Sequence, residues 1–384
     1  MRNQIYHIDS TFVLDTNQPL RKKNNLPAYE IMHKDRVVAS ISSRGEAVIY
    51  NSQFMPFNLY LQEGNDFDTL LDNTTNFQFW CANRVLTLDR VYAKEILNSI
   101  GATQNPTDRE RAQISLSCHC VSLTDVHWVR EEGENVSFSK LNLFDNSLSE
   151  SVVDLTLKGK PLTVTNYELV TPQTLAPDLS TRGLFPKAWV RQGDTFYLLK
   201  DGGEDSVRKE LLASLICQCF DIPQVIYQYD EYDGQPVSRS QIITSKEFSI
   251  SPMSANQDID CIGEAIKLDP VTYYGMNFLD YLIGNTDRHW ENWGFLVENA
   301  TNQRISLHPL IDFNKSFSAY DTLDGSICQT VEHRKISQRQ AAIEAVQAIG
   351  LRQLREVDPA LFGDHPDEAD MFRRRLDELK RYVN

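Results

Sequence analysis

The chain has 384 residues, 41% apolar and 24% charged, which is enough for a sizeable core and for about two or three domains of ordinary size. Its net charge is −15, from 53 acids against 38 bases, which speaks against a general binder of the nucleic-acid backbone and against docking on an anionic membrane. No run approaches the ~18 consecutive apolar residues of a membrane span, and MRNQIYHIDSTFVLD has no apolar signal core. The expectation is therefore a cytoplasmic protein whose seven cysteines are reduced thiols, with no membrane association and no direct nucleic-acid binding.

Residues 1–165 read as a mixed α/β region. DRVVASIS and EAVIY, from Asp35 to Tyr50, have the composition of strands. RVYAKEILNSIG reads as a helix ending at Gly101. QISLSCHCVSL fits either period. Its Cys118-His119-Cys120 and the later Cys217-Gln218-Cys219 are C-x-C pairs rather than C-x2-C, and buried core thiols explain them better than zinc. VTPQTLAPDLSTRG, from Val170 to Gly183, has no periodic apolar face and reads as a connector.

Beyond Gly183 the pattern sharpens. FPKAWVRQGDTFYLLK is a hairpin turning at Gln192-Gly193-Asp194. DSVRKELLASLICQCF is a helix with Val207, Leu211, Leu215 and Cys219 as its apolar stripe. A second hairpin turns at Asp233-Gly234. DPVTYYGMNFLDYLIG is a helix with Val271, Tyr274, Phe278 and Leu282 on one face, stopping at Gly284. WGFLVENATNQRISL reads as a further hairpin, and SQRQAAIEAVQAIG and DEADMFRRRLDELKRYV as closing helices. The order predicts a small sheet-based lobe followed by a larger helical lobe, a layout able to hold a nucleotide between them. The expected divisions are 1–165, 166–250 and 251–384.

The stretch from Tyr281 to Phe317 carries the chemistry. Asp287 follows a helix end, Asn292 lies five residues on, and Asp312 follows the last hairpin strand. Asn292 and Asp312 would then sit at neighbouring ends of paired strands, with Arg288 and His289 free to lock the loop. Phosphoryl transfer needs a carboxylate to orient the attacking hydroxyl, oxygen ligands for a cation, and a lysine on the nucleotide phosphates held by an acid. Lys200, at a strand end before a helix, is preferred over Lys187 as that lysine. Glu210 is its expected partner, with Glu204 as the alternative. Tyr227 and Phe248 could line an adenine pocket or be plain core.

GNTDRHWENWGF followed by LHPLIDFN resembles the HipA-like serine/threonine kinases, whose pattern is N-T-D-R-H-x-x-N, a strand, and P-x-x-D. A similar D-R-H-x-x-N element occurs in phosphatidylinositol 3- and 4-kinases. The resemblance covers roughly residues 175–384 and is strongest around 284–316. It implies an α+β chain with a bilobal protein-kinase-like fold, a β-rich N-lobe and a helical C-lobe, here preceded by an additional mixed α/β N-terminal domain. It implies ATP and Mg2+ as cofactors, Asp287 as the catalytic residue, and Asn292 and Asp312 as the metal ligands. The family's Ser-x-x-Gly-x-x-x-Lys phosphate loop matches STRGLFPK at Ser180, Gly183 and Lys187. This loop departs from the G-x-G-x-x-G of ordinary protein kinases. Ser180 or Thr181 would be the regulatory phosphorylation site of that loop. The expected partners are a protein substrate and a small antitoxin or regulatory protein, as for a toxin of a toxin–antitoxin system. The alternatives are a lipid or small-molecule kinase and a catalytically silent interaction module.

Overall fold

The computed structural model describes residues 28–85, 88, 90–99, 104–146, 150–159, 185–256, 259–318, 322–331 and 334–383. Within them the chain is a mixed α/β structure built on three antiparallel sheets.

The first sheet joins β1 (Ala28–His33), β2 (Arg36–Ser42), β3 (Ala47–Ile49) and the distant β4 (His127–Glu131) in the order β3-β2-β1-β4. Neighbouring residues of β1 enter different cores. Ile31 packs with Val38, Phe77, Trp80 and Val129, while Met32 packs with Leu123, Trp128 and Leu155. This is the period-two alternation of a strand covered on both faces. The covering helices are α1 (Phe67–Ala82), α2 (Ala93–Ser99), α3 (Asp108–Ser117), α4 (Phe138–Leu141) and α5 (Glu150–Lys158). Asp66 caps α1 by accepting from Thr69 N–H, and Thr107 with Glu110 forms a full capping box on α3. The ambiguous QISLSCHCVSL resolves as the end of α3 followed by a turn in which His119 and Cys120 take positive φ. Cys118, Cys120, Cys217 and Cys219 are all buried free thiols in the packed cores. The C-cap expected at Gly101 lies outside the described residues.

The second sheet is the one the hairpins predict. It joins β5 (Lys187–Gln192), β6 (Thr195–Lys200), β7 (Tyr227–Tyr232) and β8 (Gln235–Gln241) in the order β5-β6-β8-β7. The β7–β8 turn has positive φ at both Asp233 and Gly234, as a two-residue type I′ turn demands. Between the hairpins runs α6 (Glu204–Cys217), packed against β7 and β8. Its expected stripe holds at Val207 and Cys219, which are buried, and is corrected at Leu215, which is 43% exposed, while Glu210, Leu212, Ala213, Ser214, Ile216 and Cys217 are buried as well. A strict four-residue step drifts round a 3.6-residue helix, and α6 is covered by the sheet on one side and the helical core on the other.

The third sheet, β11-β10-β9, contains a strand not anticipated. β9 (Phe248–Pro252) pairs with β10 (Gly294–Glu298), which pairs with β11 (Gln303–Leu307). β9 also crosses the division expected at residue 250. α7 (Cys261–Leu268) packs on β11, α8 (Pro270–Ile283) packs on α7, and α9 (Gln338–Ile349) and α10 (Pro366–Lys380) pack on α8. Helix α8 starts at Pro270 behind the Asp269 cap and stops at Gly284, whose φ of +62° is the left-handed C-cap that glycine allows. It is buried on nearly all sides rather than on one face; Val271 and Tyr274 of the expected stripe are only half-buried.

The first unit is docked on the other two. Phe196 of β6 joins the Trp128 core. Asn302 Nδ2, in the β10–β11 turn, donates to Gln53 O at 2.9 Å and Met55 O at 3.0 Å.

Candidate active site

Lys187 and Lys200 face each other as cross-strand partners of β5 and β6. Both are buried. The Lys200 ammonium donates to Glu210 Oε1 at 2.8 Å and to Asp312 Oδ1 at 2.8 Å. Glu210, on the buried face of α6, also accepts from Ser238 Oγ of β8 and from Phe313 N–H at 3.4 Å. The second candidate, Glu204, lies in the first turn of α6 and takes no part. Burial works against charge on Lys200, but the Asp312 and Glu210 carboxylates overcome it and raise its pKa above the usual lysine range. Asp312 shows the complement: burial would raise its carboxyl, yet Lys200 and then Lys187 hold it down at about 2. Lys187 itself is lowered to about 8, first by burial and then by Lys200.

Asp312 sits at φ +59°, in the left-handed region that costs most residues roughly 1–2 kcal/mol. Its N–H donates to the Tyr227 hydroxyl at 3.0 Å, and its carboxylate is fixed by Lys200. Tyr227 therefore meets the site through its hydroxyl, and its ring packs edge-on to Phe313. Phe248 lies at the opposite end of β10 from Asn292, paired with Glu298, and is no part of this constellation.

The Asp287 loop is organised by one guanidinium. Arg288, 2% exposed, bridges both oxygens of Asp280 on α8 at 2.8 and 3.0 Å. It also donates to Asn292 O at 2.9 Å and to Ile311 O. One buried side chain thus joins the helix, the far end of the loop and the residue before Asp312. Asn285 reinforces it, donating to Asp280 Oδ1 at 2.9 Å and accepting from Asp287 N–H at 3.2 Å. Asp287 keeps its carboxylate 40% exposed, with the half-exposed His289 at 3.9 Å. The His289 ring accepts from Glu291 N–H at 3.2 Å, and its carbonyl accepts from Asn292 N–H at 2.8 Å. Arg288 is the lock, and Asp280 is the residue that sequence reasoning passed over. Its signal was a lone carboxylate inside the apolar run FLDYLI.

Asn292 precedes β10 and Asp312 follows β11, so both lie off the same end of that antiparallel pair, where Phe295 faces Leu307. Asn292 Nδ2 donates to Asp287 O at 2.8 Å, and its Oδ1 accepts no hydrogen bond from the described residues. Asp312 likewise keeps Oδ2 outside its bond to Lys200. A hard oxygen pair of one amide and one carboxylate fits Mg2+, which retains waters for its other positions. Among the described residues no group of three or more His, Cys, Asp or Glu side chains is placed to hold a metal. Ser180, Thr181 and Gly183 lie outside the described residues; Lys187 is the described member of the expected phosphate loop.

No protein-family model matches the chain, and no curated protein matches it either. Solved structures do. HipA of Shewanella oneidensis MR-1, from a toxin–antitoxin complex with HipB and operator DNA, matches with a TM-score of 0.53 at 10% identity over 92% of this chain and 97% of that one. The Helicobacter pylori proinflammatory kinase CtkA aligns with a TM-score of 0.39 at 16% identity over 51% of this chain and 90% of that one. The resemblance drawn from the N-T-D-R-H stretch is thus matched in three dimensions, and the chain shares the fold of HipA over nearly its whole length.

Proposed function

We propose that this chain is an ATP- and Mg2+-dependent phosphotransferase of the HipA-like type, acting on a serine or threonine hydroxyl of a protein. The observation that carries the proposal is the buried Lys200, shared between Glu210 and Asp312 and set beside the Arg288-locked Asp287 loop. A lysine held by a helix carboxylate is suited to steadying nucleotide phosphates, and here the pair is already formed. Asn292 and Asp312 would hold the magnesium, which when bound neutralises phosphate charge. Lys187 adds a second cation to the same wall. Asp287, exposed at the loop surface, would orient the acceptor hydroxyl and take its proton.

A protein acceptor is preferred to a lipid because the net charge of −15 disfavours anionic membranes. A cytoplasmic site of action belongs to the same proposal. So does a toxin role with an antitoxin partner, supported by the fold shared with HipA, which was solved with HipB and operator DNA. That complex also means the acidic charge is no argument against an assembly containing DNA.

Incubating a cell lysate with γ-labelled ATP and the purified chain tests the proposal. Wild type is expected to label protein, and Asp287→Asn to reduce labelling at least about 10²-fold. Label in the lipid fraction, or equal labelling by both proteins, would overturn it.

A further inference from the structure

Lys315 lies in a stretch stitched to the Asp287 segment. Phe317 N–H donates to Ile283 O at 2.7 Å, Ser318 N–H to Gly284 O at 3.4 Å, and Thr286 N–H to Lys315 O at 3.4 Å. The backbone of Lys315 is therefore bonded to the residue just before Asp287. Its ammonium reaches the other wall, 5.2 Å from the centroid of the Phe185 ring. Phe185 leads into β5 and Lys187. It also packs at the turn between β6 and α6, where a Cβ on Gly202 would stand 3.3 Å from Phe185 Cδ1. Lys315 thus spans from the Asp287 loop to the strand pair that carries Lys187 and Lys200.

Two of the other cations here are committed. Lys200 serves Glu210 and Asp312, and Arg288 serves Asp280. Lys315 is half-buried and has no carboxylate partner among the described residues; its ammonium rests over the Phe185 ring. An aromatic face is a weak resting place for an ammonium, readily given up for a phosphate oxygen.

We infer that Lys315 binds the γ-phosphate of the nucleoside triphosphate and offsets its charge during transfer. The inference rests on the phosphotransfer reading above. In that step the acceptor hydroxyl oxygen bonds to the γ-phosphorus. The bond from phosphorus to the β–γ bridging oxygen breaks, leaving its electron pair on ADP. The hydroxyl proton passes to Asp287, and Lys315 keeps its own proton throughout.

Calorimetric titration of the full chain with Mg·ADP and with Mg and the β,γ-imido analogue of ATP reads this directly. Wild type should bind the triphosphate more tightly than ADP. Lys315→Met should reduce that preference about tenfold or more while leaving ADP affinity unchanged, and should lower kcat about 10²-fold. Lys315→Arg should restore most of both. An unchanged triphosphate-to-diphosphate ratio in Lys315→Met, or equal loss of both ligands, would overturn the role of Lys315 alone. Failure of wild type to bind either nucleotide would remove the phosphotransfer reading and this inference with it.

Discussion

On the sheet side of the site, Lys200 is fixed by partners that are themselves charged, Glu210 and Asp312, each at 2.8 Å. On the helical side, the Asp287 loop is fixed through its backbone, by Arg288 anchored on Asp280 and reaching Asn292 O and Ile311 O. The two walls differ in what a ligand can change. Charged partners on the first wall can be redistributed when phosphates and a cation arrive. The second wall is a scaffold that leaves the Asp287 carboxylate 40% exposed and uncommitted to any strong partner. On the proposed function, binding and chemistry would fall to differently built regions.

The largest effect should come from breaking the scaffold. Arg288→Leu leaves Asp280 as a buried carboxylate without its cation and should cost about 3–5 kcal/mol by chemical denaturation. A loss under about 1 kcal/mol would mean that the loop is held elsewhere.

A smaller effect, confined to alkaline pH, should mark the charged wall. Burial and then Lys200 bring Lys187 from 10.5 to about 8, although Asp312 pulls the other way. Below about pH 8 both folded and unfolded chains carry this charge, and the cost of burying it is fully present. Between there and the ordinary lysine range the unfolded chain binds the larger share of a proton. Stability owed to this group therefore rises with pH in that window, by up to about 1.4 kcal/mol per pH unit. Wild type should gain stability relative to Lys187→Met between about pH 8 and pH 10. A difference that stays flat would contradict the shift.

The smallest effect belongs to the exposed rim. His289, 47% exposed and 3.9 Å from Asp287, should change stability by no more than about 0.5 kcal/mol on replacement by alanine. A larger loss would make His289 a second lock beside Arg288.

These contrasts follow how far each feature depends on local chain. The Asp233-Gly234 hairpin and the Gly284 helix stop were legible because turn chemistry acts within a few residues. Asn292 and Asp312 were legible as neighbours because one short hairpin joins them. The Lys200–Glu210 pair was legible because a strand end feeds directly into α6. Asp280, Ser238 and the Tyr227 hydroxyl were not, since each meets the site only after distant elements pack. β9 was missed for the same reason: FSISP has a serine–proline composition, and pairing with β10 makes it a strand. The face of α6 was misjudged because it is covered from two sides, which no single stripe records.

A crystal structure with a nonhydrolysable ATP analogue and magnesium tests the central claim most directly. The expected result places Asn292 Oδ1 and an Asp312 carboxylate oxygen on one ion at about 2.1 Å, with Lys200 on the phosphates. Bound nucleotide with Asn292 and Asp312 facing away from the ion, or with Lys200 still held only by Glu210 and Asp312, would contradict it.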